Sequence, residues 1–79
     1  MHFKQVQAFR FVMMTGAASR AAELMRVSQP AVSRAISELE RNVGFPLFNR
    51  VRGRLVATPE AHLLYQEVTR AFVGLERLA

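Results

Sequence analysis

The chain of 79 residues predicts a mainly α domain: a three-helix core, a short β-hairpin and a long C-terminal helix. Three observations carry that prediction. Apolar residues recur at helical spacing in most of the chain, Gly residues and the Ser28-Gln29-Pro30 and Thr58-Pro59 steps punctuate it, and one Arg-rich stretch around Gly53 has the size of a hairpin. A chain of this length buries only about 60 to 65% of its unfolded surface, which argues against a deep catalytic cleft. At 51% hydrophobic and 22% charged it is too apolar for a disordered tail, and its apolar runs fall far short of a membrane span. With no Cys and only His2 and His62, 60 positions apart, neither a disulfide framework nor a metal site is expected.

The first helix is expected over residues 3–15, with Phe3, Val6, Phe9, Arg10 and Met13 on one stripe and Gly16 as a left-handed cap. Ala8 and Phe11 lie off that stripe, and the C-terminal helix is the expected cover for Phe11. Ser19 is the expected N-cap of a brief second helix, Arg20 to Arg26, packed through Ala21, Ala22 and Met25. Val27-Ser28 forms the break. Ser28 caps a third helix, Gln29 to about Asn42, with Pro30 in its first turn, where a missing N–H is harmless. Val32, Ile36, Leu39 and Val43 fall within about 60° of arc and form the core face. Pro30, Arg34, Ser37 and Arg41 point the other way, with Gln29 and Ser33 on the N-terminal flank.

Gly44 and Pro46 end that helix. Asn49–Arg50 and Leu55–Ala57 are the expected strands about a Val51-Arg52-Gly53-Arg54 turn. Thr58-Pro59-Glu60 opens the last helix, which runs to Ala79 with Gly74 as its weak point. Leu64, Val68, Ala71, Leu75 and Leu78 step along it as a heptad seam, with Phe72 beside it, and a second copy of the helix is the natural partner.

Eleven basic residues face six acidic ones, a net +5 that favours a polyanionic partner, nucleic acid ahead of membrane headgroups. Ten of the eleven are Arg. The excess is local, with seven Arg and three Glu between Arg20 and Arg54, against two Arg and three Glu from Thr58 onward. Two short helices, the second with a polar face and followed by a basic hairpin, are the parts of a winged helix-turn-helix. The outward Gln29, Ser33 and Arg34 have the donors and acceptors that read base edges in a major groove. Three Arg within five positions of the hairpin repel one another unless an anion neutralises them, so the wing is expected on phosphate or in the minor groove.

Ala21-Ala22-Glu23, the run Val27-Ser28-Gln29-Pro30-Ala31-Val32-Ser33-Arg34, Ile36, Leu39-Glu40, Gly44, Pro46-Leu47-Phe48 and Arg50 closely resemble the DNA-binding domain of LysR-type transcriptional regulators. The resemblance covers essentially the whole chain, and within the family it is similar to regulators of opine-type catabolism. It implies a winged helix-turn-helix over residues 1–57 and a linker helix for dimerisation over 58–79. It also implies a C-terminal effector-binding domain, outside these 79 residues, that takes a small molecule; no cofactor is expected within the domain itself. Residue by residue, it places DNA contacts on Gln29, Pro30, Ser33 and Arg34 in the recognition helix and on Arg50, Arg52, Gly53 and Arg54 in the wing. Ser19 and Arg20 take backbone-contacting positions, and Ser28 and Ser37 border the groove-facing surface. Dimerisation falls to Leu64, Val68, Ala71, Phe72, Leu75 and Leu78. The implied partners are a double-stranded DNA operator and a second copy of the chain, with a higher oligomer open to the full-length protein, in the cytoplasm. The chain departs from the family at Ala61, where Gly is usual, and at Ala57, where Leu is usual, so the junction of wing and linker is expected to pack in its own way.

Other readings set limits. Phe3, Phe9, Phe45, Phe48 and the Met residues are expected in the core rather than as stacking platforms for single strands. Arg10 and Arg70 are expected to be structural, His62 a surface residue, and Glu40 a group that ties down an Arg or a helix end. No nucleophile, base and orienting group can be assembled, so no enzyme is expected. The rival is a helical interaction module in which the Leu64 to Leu78 seam binds a protein and the basic face only assists solubility.

Overall fold

The computed structural model describes residues 2–78, the side chain of Glu76 apart. Its elements run α1 (Phe3–Thr15), α2 (Ala18–Met25), α3 (Gln29–Val43), β1 (Phe48–Val51), β2 (Arg54–Ala57) and α4 (Pro59–Leu78). The strands form a two-stranded antiparallel sheet in the register Phe48↔Ala57 to Val51↔Arg54. That register leaves Arg52 and Gly53 as a two-residue turn, both with positive φ (53° and 78°), the pattern of a type I′ hairpin whose twist matches its strands. The strands therefore start one residue earlier on each side than expected, at Phe48 and Arg54.

Terminators behave as their chemistry dictates. Gly16 (φ 79°) and Gly44 (φ 84°) end α1 and α3 in the left-handed region, each donating its N–H four residues back. Ser28 Oγ accepts the Ala31 N–H at 3.2 Å and Thr58 Oγ1 accepts the Ala61 N–H at 3.1 Å, so both are N-caps. Ser19 is not. The second helix begins at Ala18 with Ala17 as its cap residue, no side chain satisfies its first turn, and Ser19 sits inside it. At its other end Arg26, not a glycine, takes the left-handed position (φ 57°).

Two apolar clusters flank α1. Ala8 and Val12 pack with Ala18, Ala21 and Ala22 of α2 and Val32 and Ile36 of α3. Phe9 packs with Leu39, Leu47, Ala61 and Val68, and Phe48 touches both clusters. The small side chains of α2 let it lie close against α1 and α3, which sets the helix-turn-helix. Phe11 packs against the first cluster, so α2 and α3 cover its side of α1, while α4 covers the side that carries Val6, Phe9 and Met13. This reverses the expected cover. Phe3 and Met14, expected in the core, are 59% and 52% exposed; the Phe3 ring stacks on Phe72 at 5.8 Å. Arg10 is structural, its guanidinium 4.4 Å from the Phe72 ring centroid.

The heptad seam of α4 divides. Val68 is buried, and Leu64 and Phe72 pack partly against the chain's own second cluster, whereas Ala71, Leu75 and Leu78 are exposed. Three of the six residues assigned to a partner helix thus pack into this chain's own core, because α1 presents a complementary face within reach. Ala79, expected to end α4, lies outside the described residues. Among the described residues no helix is long and apolar enough to cross a membrane.

Candidate nucleic-acid interface

The polar face of α3 is open. Gln29, Pro30, Ser33, Arg34, Ser37 and Arg41 are all exposed, as are Ser28 just before them and Arg50, Arg52, Gly53 and Arg54 of the hairpin. The buried Val32, Ile36 and Leu39 fix which way this face turns, since side chains about 180° away on a 3.6-residue helix must point to solvent. Ser19 and Arg20 are exposed on the first turn of α2. That turn carries amide N–H groups without a capping side chain, an arrangement suited to a phosphate.

Two adjoining depressions bring these residues together. The first, a cavity of about 170 Å³ between α3 and the hairpin, is bordered by Ser33, Ser37, Glu40 and Arg50. The second is a wider groove between the start of α2, the hairpin and the first turn of α4, bordered by Ser19, Gln29, Arg50, Gly53, Arg54 and His62. Arg50 belongs to both. Arg20, Ser28, Pro30, Arg34 and Arg52 are exposed outside the two depressions. Among the described residues the ion pair present is Arg70 with Glu67 at 3.6 Å, so the guanidiniums of the interface keep their charge free for an anion.

Two side chains outside the expected DNA contacts shape this surface. The Glu40 carboxylate accepts the backbone N–H groups of Leu47 (2.7 Å) and Phe48 (3.3 Å), which ties the start of β1 to α3. It was expected to hold an Arg or a helix end; it holds the entry to the wing. His62, expected simply at the surface, is exposed and also borders the basic groove. The base of the hairpin is fixed by Thr58, whose hydroxyl donates to the Pro46 carbonyl at 2.8 Å and whose N–H donates to that of Leu47 at 3.0 Å. At that junction Ala61 is fully buried and Ala57 packs on the second cluster. Among the described residues no group of three His, Cys, Asp or Glu is placed to hold a metal ion.

A family model described as bacterial regulatory helix-turn-helix protein, lysR family, matches residues 3–62. The octopine catabolism/uptake operon regulatory protein OccR of Rhizobium meliloti is 50% identical over 78 residues, 99% of this chain and 26% of its own length. The chain therefore spans about a quarter of that relative. Among solved structures, the complex of the BenM DNA-binding domain with catB site 1 DNA superposes with a TM-score of 0.90 at 27% identity, covering 99% of this chain and 88% of that one. The CbnR DNA-binding domain in complex with DNA gives 0.88 at 28% identity, over 98% and 88%. With the helix-turn-helix, the hairpin and the open basic face in place, the chain belongs to the lysR family of bacterial transcription regulators, as their DNA-binding, non-enzymatic helix-turn-helix domain.

Proposed function

We propose that this domain binds double-stranded DNA in a sequence-specific manner, with α3 in the major groove and the hairpin on the backbone and in the adjacent minor groove. The observation that carries the reading is the convergence of Ser19, Gln29, Ser33, Ser37, Arg50, Gly53 and Arg54 on two depressions that share Arg50. A major groove about 12 Å wide admits one helix, and a hairpin held beside that helix meets the next strand. Arg34 and Gln29 have the bidentate geometry for guanine and adenine, Ser33 and Ser37 are tolerant donors, and Pro30 offers apolar contact. Arg20, Arg50, Arg52 and Arg54 with Ser19 supply phosphate contacts, and Ser28 combines its capping bond with a place beside the groove.

Two copies related by a twofold axis through α4 would present two copies of α3 to a partly palindromic operator. Ala71, Leu75 and Leu78 are the seam residues left free for that contact, and in a full-length protein further copies can join. No cofactor enters this binding. A small-molecule effector belongs to a region C-terminal to residue 79, and the likeness to OccR points to an operon for a small catabolic substrate as the target. Such a regulator works in the cytoplasm, where its operator is.

The test is selection of bound duplexes from a random library, then titration of the winner and of random duplex. Arg34→Ala should weaken the selected duplex by about tenfold or more and random duplex much less, since one bidentate base contact is worth about 1 to 3 kcal/mol of discrimination. Failure of the chain to retain any duplex even in dilute buffer would overturn the reading.

A further inference from the structure

The wide groove has one polar border residue with no part in the reading above. Ser19, Gln29, Arg50, Gly53 and Arg54 are all on the expected DNA surface; His62, on the first turn of α4, borders the same groove. It is exposed, and among the described residues its imidazole has neither a hydrogen bond nor an ion pair. Among the described residues, the charged groups bordering the groove with it are the guanidiniums of Arg50 on β1 and Arg54 on β2, and no carboxylate borders it. A cation-lined trough with no internal counter-charge is a seat for an anion rather than for a base edge.

The course of a duplex says which anion. When a helix enters a major groove and a neighbouring hairpin enters the adjacent minor groove, the sugar-phosphate strand dividing those grooves crosses the space between helix and hairpin. Here that space is the groove between Gln29 at the start of α3 and Gly53-Arg54 of the hairpin. His62 stands at its α4 border. An imidazole carries a donating N–H in either protonation state, so it can meet a phosphate oxygen whether or not it is charged.

We propose that His62 is a DNA-backbone contact: its imidazole N–H donates to a phosphate of the strand lying between α3 and the hairpin, so that the binding surface extends onto α4. The inference rests on the reading that α3 and the hairpin straddle one strand. Because α4 also carries the exposed Leu75 and Leu78, this contact ties the docking of DNA to the helix proposed for dimerisation.

The experiment titrates the chain and its His62→Ala and His62→Gln variants with the selected duplex and with random duplex. His62→Ala should weaken both by the same factor, about three- to tenfold for one hydrogen bond lost at an exposed site. His62→Gln, which keeps a donor, should recover part of the loss. Single methylphosphonate substitutions then scan the duplex backbone; at one position per half-site they should weaken the parent chain yet leave His62→Ala unaffected. Equal affinities of parent and His62→Ala, or a loss confined to the selected duplex, would overturn the proposal. Because His62 is exposed, the variant should unfold at the same temperature as the parent. If the parent chain itself retains no duplex, the reading of α3 and the wing fails before His62 is in question.

Discussion

Arg52 holds the left-handed backbone conformation at the hairpin tip, where Asn or Gly is the residue of least strain. The position ahead of Gly53 puts the Arg52 guanidinium at the extreme end of the wing, so the residue combines a strained backbone with a charge placed for DNA. Arg52→Asn separates the two. The free chain should be at least as stable as the parent, with a gain of up to about 1 kcal/mol from relieved strain, seen as a thermal midpoint several degrees higher. Its DNA affinity should fall for every sequence, and the slope of log affinity against log salt should flatten by about one unit for the lost phosphate contact. A salt slope identical to that of the parent would make Arg52 a solvated charge. Arg34 differs in kind, lying on a regular helix face where the backbone is relaxed and base geometry alone decides its use.

At the scale of elements, the rigidity of the wing against α3 comes from Glu40. Its carboxylate spans from the last turn of α3 to the backbone entering β1, and the amide it meets at Leu47 belongs to a fully buried residue. Glu40→Ala leaves two N–H groups without that partner, at a cost of about 1 to 3 kcal/mol. For a domain of this size that lowers the thermal midpoint by about 4 to 8 °C per kcal/mol. Amide exchange at Leu47 and Phe48 should quicken more than exchange within α1, and Glu40→Gln, which keeps an acceptor oxygen, should recover most of both effects; uniform quickening would show that Glu40 serves the whole core rather than the hairpin. Elements of this chain are legible in sequence wherever the signal is local. Gly16, Gly44, Ser28-Gln29-Pro30 and Thr58-Pro59 mark their own positions, because caps act through the backbone within four residues. The start of α2 is not, since Ala17 carries no capping group and Ser19, the first residue that has one, drew the boundary two residues late. The role of Glu40 is hidden from sequence for the opposite reason: its partners are backbone amides seven and eight residues away across a turn, and periodicity contains no trace of them.

For the whole molecule, the same limit governs α4. A heptad spacing states that a stripe is apolar but not what covers it, and the fold has already placed Val68 against Phe9 and Leu47, with Leu64 and Phe72 alongside. What remains for a partner is the stripe of Ala71, Leu75 and Leu78. The 40 Å long axis of the molecule against its 20 Å short axis is the mark of a helix that serves as core at one end and as free surface at the other. Two charge insertions distinguish these ends. Val68→Arg buries a cation without a counter-ion in the second cluster, a change large enough to unfold a small domain, and its loss of DNA binding should follow the loss of cooperative unfolding. Leu75→Arg lies on exposed surface and should leave the thermal midpoint within a few degrees of the parent. By sedimentation it should shift the species toward monomer, and it should weaken a two-half-site operator while leaving a single half-site nearly unaffected, because it removes the coupling between copies and none of the contacts each copy makes. An unchanged sedimentation profile for Leu75→Arg would show that this stripe is not the dimer contact.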